Sequence, residues 1–262
     1  MNNPHRDAAV RPVAMGVALL LVWEFSVRHF HVPTYVIPGP VDIGRALVSD
    51  WPMLSASLAV TLRITFCALL FAVVGGVSAA VIFDESRFVE STFFPYTVIL
   101  QVTPSVAIAP LIIIWIDDSS AALMVCATLV AFFPILSATL AGLKSADHNL
   151  IDLFDIYRAR RWQTLIYLKL PAALPYFLSG LRISGGLALV GAVVAEFVAG
   201  SGGRGSGLAY RILEAGYQLQ FPRMFAALAL ITAAGVGIHF CTAYVSYLGL
   251  HRWHESSLRR ER

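Results

Sequence analysis

An all-α integral membrane protein with six transmembrane helices and a large cytoplasmic loop is the fold this sequence predicts, and three observations predict it. Of the 262 residues, 58% are hydrophobic and 13% charged, with a mean hydropathy of +0.72, outside the range of soluble globular chains. Six stretches, 13–27, 58–83, 93–116, 121–143, 177–199 and 224–248, approach or exceed the roughly 20 apolar residues that cross a hydrocarbon core. Lysine and arginine then gather in the connections that fall on one side of those stretches, as short cytoplasmic loops do.

The first stretch, VAMGVALLLVWEFSV, is the shortest. Trp23 and Glu24 stand where a signal peptide would carry small residues before its cleavage site, so a retained anchor is predicted. An amphiphilic connection, 31–57, leads to the second span, with Arg63 near its start. The basic side of the membrane holds Arg6, Arg11, Arg87, Lys144, Arg158, Arg160, Arg161, Lys169, Arg252, Arg259, Arg260 and Arg262. The other side holds Arg28, Arg45, Arg204, Arg211 and Arg223. Both termini are accordingly expected in the cytoplasm of a bacterial cell with the chain in its inner membrane. The net charge of +3 is explained by these flanks and does not call for nucleic acid.

The third span carries QVTPSVAIAP, with Pro104 and Pro110 inside an apolar run and Gln101, Thr103 and Ser105 beside them. Proline frees backbone carbonyls, which membrane helices tolerate where polar side chains, neighbouring helices or a watery cavity satisfy them. A broken helix lining a translocation path is therefore expected at Gln101, Thr103, Pro104 and Ser105. Ionisable groups inside spans are a second pointer, since each costs about 2.5–3.5 kcal/mol at mid-bilayer. Glu196 fits either a path or an interfacial position near the outer end of the fifth span, Glu24 and Arg63 are placed to snorkel, and His239 suits an interhelical hydrogen bond. Gly180, Gly185, Gly186 and Gly191 suit tight helix contact, the dimer axis being one place for it.

The connection 144–176 is too charged to span. Within it HNLIDLFDIYRARRWQTLIYLKLP reads as a helix pair lying along the membrane, with apolar residues such as Ile151, Phe154 and Leu168 at helical spacing among Asp152, Asp155, Arg158 and Arg161. Pro171 is expected to end that pair, and Pro175 to sit in the first turn of the next span, so that the prolines turn the chain back into the bilayer. The pattern fits two roles: a loop docking in a groove of a cytoplasmic partner through anchors such as Tyr157 and Trp162, or a helix resting on the headgroups.

Chemistry is sparse elsewhere. Cys67, Cys126 and Cys241 lie within spans without C-x-x-C spacing, indicating neither disulfide framework nor metal site. No G-x-x-x-x-G-K-[ST] occurs, so no nucleotide site is expected on this chain. GSGGRGSG, 200–207, lacks the lysine of a phosphate loop and reads as a turn into a short helix, 208–215. H-E-x-x-H and G-x-S-x-G are absent, which argues against an intramembrane enzyme. An ion-coupled secondary transporter would show repeated halves and broken helices in both; only the third span reads as broken.

The run from FFPILSATLAGLK to LKLPAALPYFLSGLRIS, followed by VGAVVAEFVAG, resembles the cytoplasmic EAA loop and fifth span of permeases of binding-protein-dependent ABC importers. It is especially similar to the branch that imports nitrate, sulfonates, taurine and related small organic solutes, and VIPGPVDIGRAL and QVTPSVAIAPLIIIW are similar to the same branch. The resemblance implies one permease domain over 1–262 that forms the path for a small solute. It implies cytoplasmic ABC ATPase subunits carrying ATP and Mg, an outer solute-binding protein, and a homodimer or a similar second permease. It also registers Asp152, Leu153 and Phe154 on the E-A-A positions, Arg158 on the loop glycine, and Leu168 and Pro171 on I-x-L-P. ATPase coupling is then expected at Asp152, Phe154, Tyr157, Arg158, Arg161, Trp162, Leu168 and Pro171. Arginine at a glycine position departs from the pattern, and is unfavourable if that backbone angle is positive.

Overall fold

The computed structural model of the chain describes residues 4–200 and 205–251. They form helices α1 (Pro4–His29), α2 (Pro40–Ser49), α3 (Trp51–Glu85), α4 (Arg87–Val102), α5 (Ser105–Trp115), α6 (Ser119–Leu143), α7 (His148–Ile156), α8 (Arg161–Thr164), α9 (Leu170–Ala199), α10 (Leu208–Tyr217) and α11 (Phe221–Leu250), with no strand among the described residues. A five-residue π turn, Leu165–Lys169, joins α8 to α9. Local chemistry sets many of the ends. Ser86, Asp118 and Asp147 accept from Val89, Ser120 and Asn149 at the starts of α4, α6 and α7, the usual use of such side chains at helix N-termini.

Among the described residues α3, α6, α11 and the run Arg161–Ala199 are each long and apolar enough to cross a bilayer, and α4 with α5 make a fifth span if that bent pair counts as one. α1 covers the first predicted span but is not among these. Large apolar side chains such as Leu21, Phe71, Ile114, Ile183 and Phe240 face outward, which is expected of a protein whose surroundings are hydrocarbon rather than water.

The chain divides into two compact units. The first, 1–59 with 202–232, packs Leu54, Leu208, Ala226 and Ala227 together with Ile43 and Leu47. Arg223 grips both carboxylate oxygens of Asp50 at 2.6 and 3.1 Å, and Arg211 reaches Ser57 and Glu214. Glu24, expected to snorkel, pairs with Arg28 and accepts the Val41 backbone N–H at 3.0 Å, so it caps the start of α2. α10 follows the expected 208–215 helix by two further residues, while residues 201–204 of the glycine-rich turn, Arg204 among them, lie outside the described residues.

The second unit, 60–201 with 233–262, is built on antiparallel α6 and α9. A Cβ at Gly142 would lie 2.8 Å from Ala173 Cα, at Gly180 2.7 Å from Ala138 Cβ, and at Gly191 2.9 Å from Ala127 Cα. The absence of side chains lets the two backbones approach, and Ser184 donates to the Ala131 carbonyl at 2.8 Å between them. Gly185 does the same toward Ile238 and Thr242 of α11, whereas Gly186 faces open space. Three of the four glycines expected in tight contact thus serve packing within the chain.

The prolines of the fifth span behave differently from expectation. Leu170 is helical, α9 begins there, and Pro171 and Pro175 both lie inside one helical run. The π turn is the reason: the Leu170 N–H bonds to the Leu165 carbonyl five residues back. That wider turn sits where the ordinary ladder would need an N–H from Pro171 and room for its ring. His239 is exposed with its ring edge-on to Phe240, and no interhelical side-chain bond to it is found among the described contacts.

Candidate functional site

Two features of the second unit gather the predicted functional residues, and both follow from local backbone chemistry. The first is the break between α4 and α5, whose axes bend by 101°. Thr103 precedes a proline and is extended, φ −70 and ψ 125, as steric conflict with the ring requires. Its hydroxyl donates to the Ile99 carbonyl at 2.8 Å, which ties off the end of α4. Pro104 then serves as the first residue outside α5, and Pro110 is carried inside that helix.

The bend opens a cleft of about 340 Å³ onto which Gln101, Thr103, Pro104 and Ser105 all face. Ile108 and Ile112 of α5, Cys126, Phe133 and Pro134 of α6, and Leu187 of α9 are among the residues of the remaining wall. A mostly apolar lining with a few convergent polar groups is the usual make-up of a small-molecule site. No charged side chain lines it. Cys126 is buried and is also part of this wall. The apolar wall was not legible beforehand, because nothing in a uniformly apolar span marks which side meets a cavity.

Glu196 lies elsewhere. It is 3% exposed on α9 and accepts a hydrogen bond from Thr61 Oγ1 of α3 at 2.8 Å. It is not among the residues lining the cleft at Gln101. Among the described residues no group of three or more His, Cys, Asp or Glu is arranged to hold a metal ion.

The second feature is the loop between α6 and α9. α7 closes with two hydrogen bonds, from the Arg158 N–H to the Asp155 carbonyl and from the Ala159 N–H to the Phe154 carbonyl, each 2.9 Å. This is the Schellman pattern, whose C′ residue takes the left-handed conformation, and Arg158 does so with φ +54. Leu219 after α10 and His31 after α1 make the same closure, at φ +58 and +49. The Arg160 N–H donates to Gln163 Oε1 at 2.7 Å and starts α8. Asp152, Tyr157, Arg158, Arg161 and Trp162 are exposed, Tyr157 by 79%, while Phe154, Leu168 and Pro171 are half-buried. Ile156 and Tyr167 are exposed beside them; neither was singled out from the sequence, since an apolar residue in an amphipathic loop carries no mark of which face it takes.

The described chain thus combines helices long and apolar enough to cross a membrane, a sharp bend between α4 and α5, and an exposed aromatic-bearing loop between α6 and α9. The chain belongs to the binding-protein-dependent transport system inner membrane component family, whose model matches residues 72–260. It is 31% identical over 93% of its length to a probable ABC transporter permease protein of Haemophilus influenzae, covering 96% of that protein. It is 32% identical over 94% of its length to the riboflavin transport system permease protein RibX of Chloroflexus aurantiacus, covering 90% of it. Further matches at 28–31% identity are permeases named for formylaminopyrimidine in Halalkalibacterium halodurans, aliphatic sulfonates in Bacillus subtilis and taurine in Escherichia coli. The fold matches a solved structure of the MetNI methionine ABC transporter in inward-facing conformations, with a TM-score of 0.66 at 19% identity over 77% of this chain and 98% of that one. This protein is accordingly a transport permease of the ABC importer type.

Proposed function

We propose that the chain crosses the inner membrane six times, with α1 as the first span, α4 and α5 together as the third, and both termini in the cytoplasm. Two copies, or one copy and a similar permease, enclose the path. Cytoplasmic ATPases carrying ATP and Mg drive it, and an outer solute-binding protein feeds it. The loop 144–176 is the ATPase-coupling element, with Tyr157, Trp162, Arg158 and Arg161 as its contact residues and Asp152, Phe154, Leu168 and Pro171 shaping it. Gln101, Thr103, Pro104 and Ser105 belong to the path.

The observation that carries this reading is the left-handed backbone at Arg158. The EAA pattern has glycine there, and this chain keeps the glycine conformation without the glycine. Two short helices therefore meet in the same kind of turn and leave Ile156, Tyr157 and Trp162 exposed beside it, the aromatic and arginine anchors of a groove-docking surface. The names of the relatives support a small organic or anionic solute of the sulfonate, taurine or vitamin-precursor kind, to which the sequence resemblance adds nitrate, and the uncharged cleft lining does not choose among them.

Co-expression with the ATPase encoded beside it tests the reading. The ATPase is expected to co-elute with the permease in mild detergent and to be lost on deleting residues 152–167. Failure to bind any neighbouring ATPase would overturn it in favour of an ion-coupled transporter.

A further inference from the structure

We propose that α4 is the lever that carries motion of the 144–169 segment between α6 and α9 to the cleft, held at its base by two ion pairs that clamp the two ends of that segment to the α3–α4 junction. The proposal rests on the reading of that loop as the ATPase-coupling element.

Lys144 is the residue that ends α6 and opens the loop, and it pairs with Glu90 in the first turn of α4. Lys169 closes the loop as the last residue of the π turn, and its Nζ lies 2.7 Å from Asp84 Oδ2 near the end of α3. The Asp84 side chain is only 5% exposed. A carboxylate in the last turn of a helix opposes the helix dipole, so Asp84 is not placed there for the sake of α3. Lys169 supplies the compensating charge. Arg87 and His148 line the cleft in which both pairs sit. From the sequence, these lysines register only as charges on the cytoplasmic side.

Below the ion pairs the base of α4 is anchored in apolar packing: Val89 and Phe94 join Phe83, Leu143, Ala173 and Leu165, and the Phe83 and Phe94 rings meet edge to face at 6.5 Å. Beyond Phe94 no residue of α4 belongs to a core cluster, and Tyr96, Ile99, Leu100 and Val102 are exposed. α5 is different, since Ala109 and Ile112 are packed with Ile64, Ala127 and Ala192. The 12 steps from Glu90 to Val102 rise about 18 Å along the helix. α4, helical through Pro95, is thus gripped at one end by the loop, contributes no residue to a core cluster along its far half, and is joined at Thr103 and Pro104 to a helix that is held. Displacing the loop swings Gln101 and Thr103 relative to α5 and reshapes the cleft.

The test uses the permease assembled with its ATPase and binding protein in lipid nanodiscs. Cys67, Cys126 and Cys241 are replaced by alanine, Ser105→Cys is introduced, and its labelling rate with a maleimide is read with and without ATP and vanadate. Nucleotide is expected to change the rate several-fold in this background. Glu90→Gln and Asp84→Asn are each expected to abolish that change while ATPase co-purification and the nucleotide-free labelling rate persist. Glu90→Asp keeps the response, and the exchange Glu90→Lys with Lys144→Glu restores it. A full response in assembled Glu90→Gln and Asp84→Asn overturns the lever, as does an unresponsive Ser105→Cys in a background complex that hydrolyses ATP. Should the neutral variants fail to assemble, the charge exchange decides: an assembled but unresponsive exchange refutes the clamp. A background chain that binds no ATPase instead refutes the coupling reading on which the lever rests.

Discussion

Replacing Arg158 with glycine should tighten the coupling loop rather than loosen it. An L-residue in the left-handed region carries about 1–2 kcal/mol of strain, and Arg158 sits there at φ +54. Glycine removes the strain but adds about 0.5–1 kcal/mol of unfolded-state entropy. The net gain is up to about 1.5 kcal/mol, or up to a roughly tenfold smaller local opening constant. Hydrogen exchange at residues 158 and 159 reads this directly, since their amides close α7 on Asp155 and Phe154. Exchange is expected to slow in Arg158→Gly, to stay nearly unchanged in Arg158→Ala, which retains the strain, and to quicken in Arg158→Val. Faster exchange in Arg158→Gly, or equal slowing in Arg158→Ala, would refute the account of strain. The same variants separate backbone from side chain in function: solute-stimulated ATPase activity that falls in both Arg158→Gly and Arg158→Ala assigns the contact to the guanidinium.

Gly142→Ala places a Cβ 2.8 Å from Ala173 Cα and Tyr176 Cβ, so a loss of about 1–3 kcal/mol should appear as a lowered melting temperature in detergent. Gly186→Ala, with nothing within 4 Å, should melt like the parent. Thr61→Val removes the 2.8 Å bond to the buried Glu196 carboxylate and is expected to destabilise by about 1.5–3 kcal/mol; an unshifted melting temperature would sink that assignment. Gln101→Leu should slow uptake while the ATPase still co-purifies, and unaltered uptake would remove Gln101 from the path.

Much of the site was legible because its signals are local. Pro104 fixes the break between α4 and α5 through its own ring and the residue before it, and Gln101, Thr103 and Ser105 travel with it to the cleft. The α7 turn was equally local, a short-range closure that Arg158 enters despite its Cβ. The fate of Pro171 was harder to read. A helix can absorb a proline by widening one turn, and no residue type in Leu165–Lys169 announces that.

The sequence by itself determined the solvent, the helical class, the positions of the long apolar helices and the place of the break. Each of these depends on composition or on neighbours a few residues away. Only the tertiary structure decided which glycines meet which helix, that Glu196 bonds Thr61 apart from the cleft, and that Asp84 and Glu90 hold Lys169 and Lys144. The three side-chain pairs lie 54 to 135 residues apart. The pairing of residues so far apart is set by how α3, α4, α6 and α9 stack, and a charge in a sequence carries its sign but not its partner.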